Sequence, residues 1–299
     1  MKATKTLRFA LLAALVSATT TVRAQGGEPD AKEPHSKEKE KVAAEKIAWP
    51  DIKPIRLSMA KDKIPQLIHK NEAARAKARE TIVGYGAGCA PVLLEALKPT
   101  QKPELLSALA EILDGFVESK HAPLLIEAWT GTNEVRDLYI ISSVRRFGVE
   151  GQQAFFEKAL VHGDARIREL ATYSLAQLGD VKALHPLLLL TRDAWDDKNY
   201  QIRECLPKLK GDAATKWLIT KLNEGAIADR IAILRLLHGV GTKDCAPTVG
   251  RLLDDSSHLI RAEAVNALRG IMDGAPPFKK LSVFQAIEEI KKWKARVGS

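Results

Sequence analysis

At 299 residues the chain is long enough to bury a full core, as one large domain or two ordinary ones. Its 46 Lys and Arg against 37 Asp and Glu give a net charge of +9, too mild and too unevenly placed to argue for a nucleic-acid-binding surface. Three cysteines (Cys89, Cys205, Cys245), without a CxxC pair, exclude a disulfide framework. They read as small buried core residues.

Residues 1–24 read as a secretory signal peptide. Lys2, Lys5 and Arg8 precede an apolar run from Phe9 to Val16, and Val22-Arg23-Ala24 follows as a small-residue cleavage pattern. Eight apolar residues are too few to anchor a helix in a bilayer. Removing the segment leaves 42 basic against 37 acidic residues, a balance of +5. No later apolar run reaches spanning length and no cysteine follows the cleavage site, so the expected product is soluble and exported, to the periplasm or outside the cell.

Residues 25–47 alternate Lys and Glu and bury almost nothing, which predicts a disordered charged linker; an exposed charged helix over 36–47 is the alternative. Residues 48–70 are expected to form an N-terminal strap and cap. Pro50 and Pro54 forbid a continuous helix over 48–59 and favour an extended strap carrying Trp49, Ile52, Ile55 and Leu57.

From residue 71 to 275 one pattern recurs. DARIRELATYSLAQLGD, residues 164–180, places Ile167, Leu170, Ala171, Leu175 and Leu178 on one side of a helix and ends at Gly179. Arg75, Glu104, Arg136, Arg168, Arg203, Arg230 and Arg261 occupy equivalent positions, at steps of 29, 32, 32, 35, 27 and 31 residues. After each glycine a second apolar helix follows, often with a proline (Pro91, Pro123, Pro186, Pro247) in its first turn. The unit is helix A, a glycine turn and helix B, repeated near every 30 residues. Apolar spacing of three and four throughout makes the fold class all-α. Residues 276–299 form a C-terminal capping helix, with Leu281, Phe284, Ile287, Ile290 and Trp293 facing inward and Lys279, Lys280, Glu288, Lys291, Lys292 and Lys294 outward.

The pattern Asp-x-x-x-Arg-x-x-Ala-x-x-x-Leu, a Gly-Asp turn (Gly179-Asp180, Gly211-Asp212) and a Pro-led apolar helix resembles HEAT repeats, in the short form of phycobilisome lyase-like proteins. The resemblance implies a right-handed α-solenoid of about six to seven helix pairs, an armadillo-like scaffold with B helices lining its groove. It also implies a structural ladder in which Arg136, Arg168, Arg203, Arg230 and Arg261 meet turn acids Glu150, Asp180, Asp212 and Asp244. About function it is nearly silent.

Chemistry is sought where the repeat breaks. The exposed B-helix column (Glu95, Glu127, Lys158, Leu190, Thr220, Arg251) runs from acids to bases, which suits a protein or peptide and not a phosphate backbone. The largest break, 191–201, reads as a loop carrying Trp195 and Tyr200 among Asp193, Asp196 and Asp197. It is either an interaction tip or a longer turn with Trp195 tucked onto the core. The seven histidines are scattered, and no metal, nucleophile-elbow or phosphate-loop motif occurs. The expectation is a non-catalytic exported scaffold with no cofactor or metal, no membrane insertion and no nucleic acid, binding a protein or peptide through Trp195, Tyr200, Asp196, Asp197, Glu95, Glu127, Lys158 and Arg251. Two alternatives stand beside it. One is a lyase- or isomerase-like enzyme, which requires an exposed Cys205; the other is binding of an anionic envelope polymer through Arg251, Arg261 and the C-terminal lysines.

Overall fold

The computed structural model describes residues 47–298, so the expected signal peptide (1–24) and nearly all of the expected charged linker (25–47) lie outside the described residues. Among the described residues every regular element is helical, and the fold is all-α. Residues 47–53 are non-helical and reach across the first units: Trp49 stacks on His121 with ring centres 4.8 Å apart. The strap is shorter than the prolines suggested. Pro54 opens helix α1 (Pro54–Lys63), because a proline at the first helical position gives up only an N–H that has no partner there.

Longer and shorter helices then alternate. α2 (Glu72–Tyr85), α4 (Pro103–Phe116), α6 (Glu134–Phe147) and α8 (Ala165–Gln177) are the long members; α3 (Ala90–Ala96), α5 (Ala122–Glu127) and α7 (Gln153–Ala159) are the short ones. α9 (Leu184–Leu209), α10 (Asp212–Glu224), α11 (Ile227–Val240), α12 (Ala246–Gly250), α13 (His258–Asp273) and α14 (Val283–Val297) complete the chain. Packing is between near neighbours in sequence: α6 on α8, α8 on α9, α9 on α11 and α11 on α13, with α5, α7, α10 and α12 covering adjacent long helices. One apolar core follows the whole row, from Ile64 to Trp293.

α8 shows how a central helix is accommodated. Ile167, Ala171 and Leu175 are fully covered, and so are Thr172 and Ser174 on another side. Their hydroxyls donate to Arg168 O and Leu170 O at 2.8 Å, so these two buried groups are paired, whereas the Tyr173 hydroxyl between them is buried without a partner. Asp164 caps the helix start through the Arg166 N–H at 2.7 Å. At its other end Gly179 turns the chain with φ +75°, and a Cβ there would lie 2.8 Å from Lys208 O. Backbone approach is close between α11 and α13, where a Cβ on Gly270 would collide with His238 O.

The segment 191–201 is not a loop. α9 runs through it, and only Ala194 leaves helical geometry (φ −141°, ψ 27°). No glycine or proline stands between Pro186 and Pro207, so nothing stops the second helix of one unit from continuing into the first helix of the next. The extra residues are absorbed as a kinked joint.

Candidate functional site

The repeated arginines do not form the expected ladder. Arg168 donates to the carbonyls of His162 and Gly163, both at 2.7 Å, six and five residues upstream. Arg75 does the same to His69 and Lys70 at 2.9 and 3.2 Å, and Arg261 to Asp255 and Ser256 at 2.6 and 3.1 Å. In each case the upstream side chain also accepts an N–H two residues on: Asn71 to His69, Asp164 to His162, Ser257 to Asp255. The arginine is a latch on its own entry turn, where carbonyls would otherwise point away without a donor. Arg230 reaches Asp255 at 2.7 Å, the Arg136 Nε is buried without a partner, and Arg203 turns to an aromatic ring. Of the turn acids, Asp180 instead pairs with Gln153 and accepts the Lys182 N–H. Cross-helix pairing is carried by other residues: Arg79 with Glu111 at 2.7 Å, Arg146 with Asp114 at 2.9 Å, Lys198 with Glu169 at 2.7 Å and Arg235 with Glu263 at 2.8 Å.

Two of those pairs meet at the kink of α9. Trp195 is half-buried, with the guanidinium of Arg203 5.0 Å and that of Arg235 4.8 Å from its ring centre. Arg203 belongs to α9 itself and Arg235 to α11, so one cation ties the ring to the neighbouring helix, and Arg192 adds a bridge to Asp229 on α11 at 3.2 Å. Asp196 and Asp197 are exposed, and Tyr200 is 64% exposed. Beneath the joint lie Arg145, Tyr173 and Cys205. Burial raises the Tyr173 hydroxyl above its usual range, with the Glu169 carboxylate adding to it, and pushes the Cys205 thiol up to about 12. Cys205 donates to Ile202 O at 3.0 Å and is covered, so it is neither exposed nor a thiolate near neutral pH.

Beside the joint, α8 and the first half of α9 enclose a cleft of about 480 Å³. Leu160, Ala165, Pro186, Leu189 and Leu190 make its apolar lining, while Arg168, Lys182 and His185 bring basic groups to it. Glu169 also lines the cleft, but its charge is met by Lys198. Lys182 is held by Glu157 at 2.7 Å, which raises its ammonium above the usual lysine value. Leu190 is thus the one member of the B-helix column that this cleft includes. Glu95 lines a smaller cleft of about 230 Å³ with Lys61, Ile64 and Val92 and stands 3.7 Å from Lys61. Glu127, Lys158 and Arg251 are exposed, on α5, on α7 and just after α12, and none is bonded to another column member. Lys182, His185 and Leu189 were missed because they belong to an ordinary turn and helix start. Their significance comes from the cleft, which periodicity does not reveal.

A buried Asp137–His162 pair lies between α6 and the entry to α8, with Asp137 Oδ2 3.3 Å from His162 Nε2. Asp164 N–H occupies His162 Nδ1, so the ring proton sits on Nε2 and faces the carboxylate. Thr130 N–H and Oγ1 complete the carboxylate shell at 3.1 and 3.2 Å. The pair ties a turn to a helix. Among the described residues no group of three or more His, Cys, Asp and Glu is placed to hold a metal ion, and no helix is long and apolar enough to cross a membrane.

No protein-family model matches the chain, and no curated protein matches it. Among solved structures it is similar to two engineered proteins. One is 14% identical, with 80% of this chain and 78% of that chain covered at a TM-score of 0.38. The other is 17% identical, with 73% and 98% covered at a TM-score of 0.26. Likeness at this level carries no argument about fold or function.

Proposed function

We propose that the chain is a non-catalytic, exported scaffold of HEAT-like helix pairs, a right-handed α-solenoid of about six to seven units, that binds a protein or peptide segment. The cleft beside the α9 joint carries this reading. It combines an apolar lining with the side chains of Arg168, Lys182 and His185 beside the joint where, among the described residues, two units share a helix, and it can take an apolar anchor residue with a neighbouring carboxylate that competes with Glu157 for Lys182. The joint explains why this site differs from the other inter-unit grooves: Trp195 is immobilised by Arg203 and Arg235, so the wall next to the cleft is rigid. A lyase-like role that uses Cys205 has no support, because the thiol is buried and protonated.

The test is capture of envelope proteins and peptides by the chain lacking residues 1–24, compared with Leu189→Glu and Lys182→Glu variants. Both substitutions should weaken retention about tenfold or more while leaving thermal unfolding nearly unchanged. Retention indifferent to both, or small-molecule turnover without any captured protein, would sink the proposal.

A further inference from the structure

Three large apolar side chains lie open together at the start of α14. Val283 and Phe284 are each 80% exposed and Ile287 is 47% exposed, although the same helix buries Trp293 completely. At 3.6 residues per turn Val283 and Ile287 fall beside Ile290, whereas Phe284 lies on the side opposite Trp293. The expected cap therefore covers the core with the second half of the helix only.

This display is held in place at both ends. Ser282 and Gln285 form a reciprocal cap, with Ser282 N–H donating to Gln285 Oε1 at 3.0 Å and Gln285 N–H to Ser282 Oγ at 3.3 Å. Farther along, Arg296 pairs with Asp273 at 2.7 and 2.8 Å, and Lys294 pairs with Asp254. Just before the helix, Lys279 and Lys280 are exposed and bonded to no acid among the described residues. Lys291 follows on the same flank one turn after Ile287, 3.4 Å from Glu288.

We propose that this patch docks the protein peripherally on an anionic membrane surface. Val283, Phe284 and Ile287 enter the boundary between headgroups and acyl chains, and Lys279 and Lys280 pair with lipid phosphates. At 80% exposure Phe284 projects from the surface instead of lining a groove, which suits insertion into a soft phase better than docking on a shaped protein partner. Pairing with a second copy through the same patch would bring the unpaired lysines of both copies together.

The experiment is co-sedimentation of the chain lacking residues 1–24 with vesicles of phosphatidylcholine alone, or with phosphatidylglycerol added. Binding should be at least about tenfold stronger to the anionic vesicles and should weaken with added salt. Phe284→Ser and the double variant Lys279→Ala/Lys280→Ala should each reduce it about tenfold, while Tyr200→Ser, on a distant helix, changes nothing. All of these side chains are exposed, so unfolding curves should be unaltered. Equal binding to both vesicle types, or binding insensitive to both patch variants, overturns the proposal. So does a concentration-dependent dimer that Phe284→Ser abolishes, which assigns the patch to a second copy.

Discussion

The carboxylate of Asp137 has no solvent exposure and four hydrogen-bonding contacts within one small network, from Thr130 N–H, from Thr130 Oγ1 to both of its oxygens, and from His162 Nε2. Removing it would leave the imidazole N–H of His162 buried and unsatisfied, which costs more than the loss of the bond itself. Asp137→Ala should lower stability by about 3 kcal/mol or more in denaturant unfolding. A loss below about 1 kcal/mol would mean that water replaces the carboxylate. Neither residue stood out in the sequence, since an aspartate and a histidine 25 positions apart have no spacing signature. The latch arginines did stand out, but for the wrong partners. Their partners are backbone carbonyls, and the visible signal was the His or Asp six residues upstream: His69 with Arg75, His162 with Arg168, Asp255 with Arg261.

At the scale of elements, helix A, glycine turn and helix B were legible because each is set by residues within one or two turns of each other. Gly179 with positive φ, the Asp164 cap and the prolines in first turns all follow from local chemistry. The joint in α9 was not legible by the same means. Insertion length suggested a loop, whereas the absence of any glycine or proline allowed helix to continue. The cleft was hidden too, because it depends on how α8 and α9 lie against each other. With φ near −141°, Ala194 cannot be replaced by proline, which needs about −65°. Ala194→Pro should cost about 3 kcal/mol or more, and Ala194→Gly about 1 kcal/mol or less, by thermal or chemical unfolding. Equal effects would show that the backbone conformation at Ala194 does not set these costs.

Over the whole molecule, stability is expected to respond to pH through two histidines that fasten distant segments. His121 stacks on Trp49 of the N-terminal strap, and His238 Nε2 lies 3.0 Å from Ala275 O beyond the end of α13. Burial lowers both below the ordinary histidine value, with Lys120 adding to the effect at His121. The unfolded chain therefore binds protons more readily than the folded one as pH drops through about 6.5. The stabilisation is complete above that value and is lost as pH falls toward the folded-state values. Melting temperature should decline from pH 7.5 to 5.5, and His238→Gln should flatten part of that slope. A melting temperature constant over this interval would contradict the assignment.

The α9 joint also has a mechanical meaning. Elsewhere successive units are connected by turns, each able to give a little under load. Here two units share one rod, interrupted at a single residue whose two dihedrals are the only backbone freedom between the rod's halves. Bending imposed on the chain from either side would concentrate at Ala194 instead of spreading along α9. Every residue that lines the cleft precedes Ala194, so such a bend would redirect the second half of the rod while the cleft's own walls keep their places.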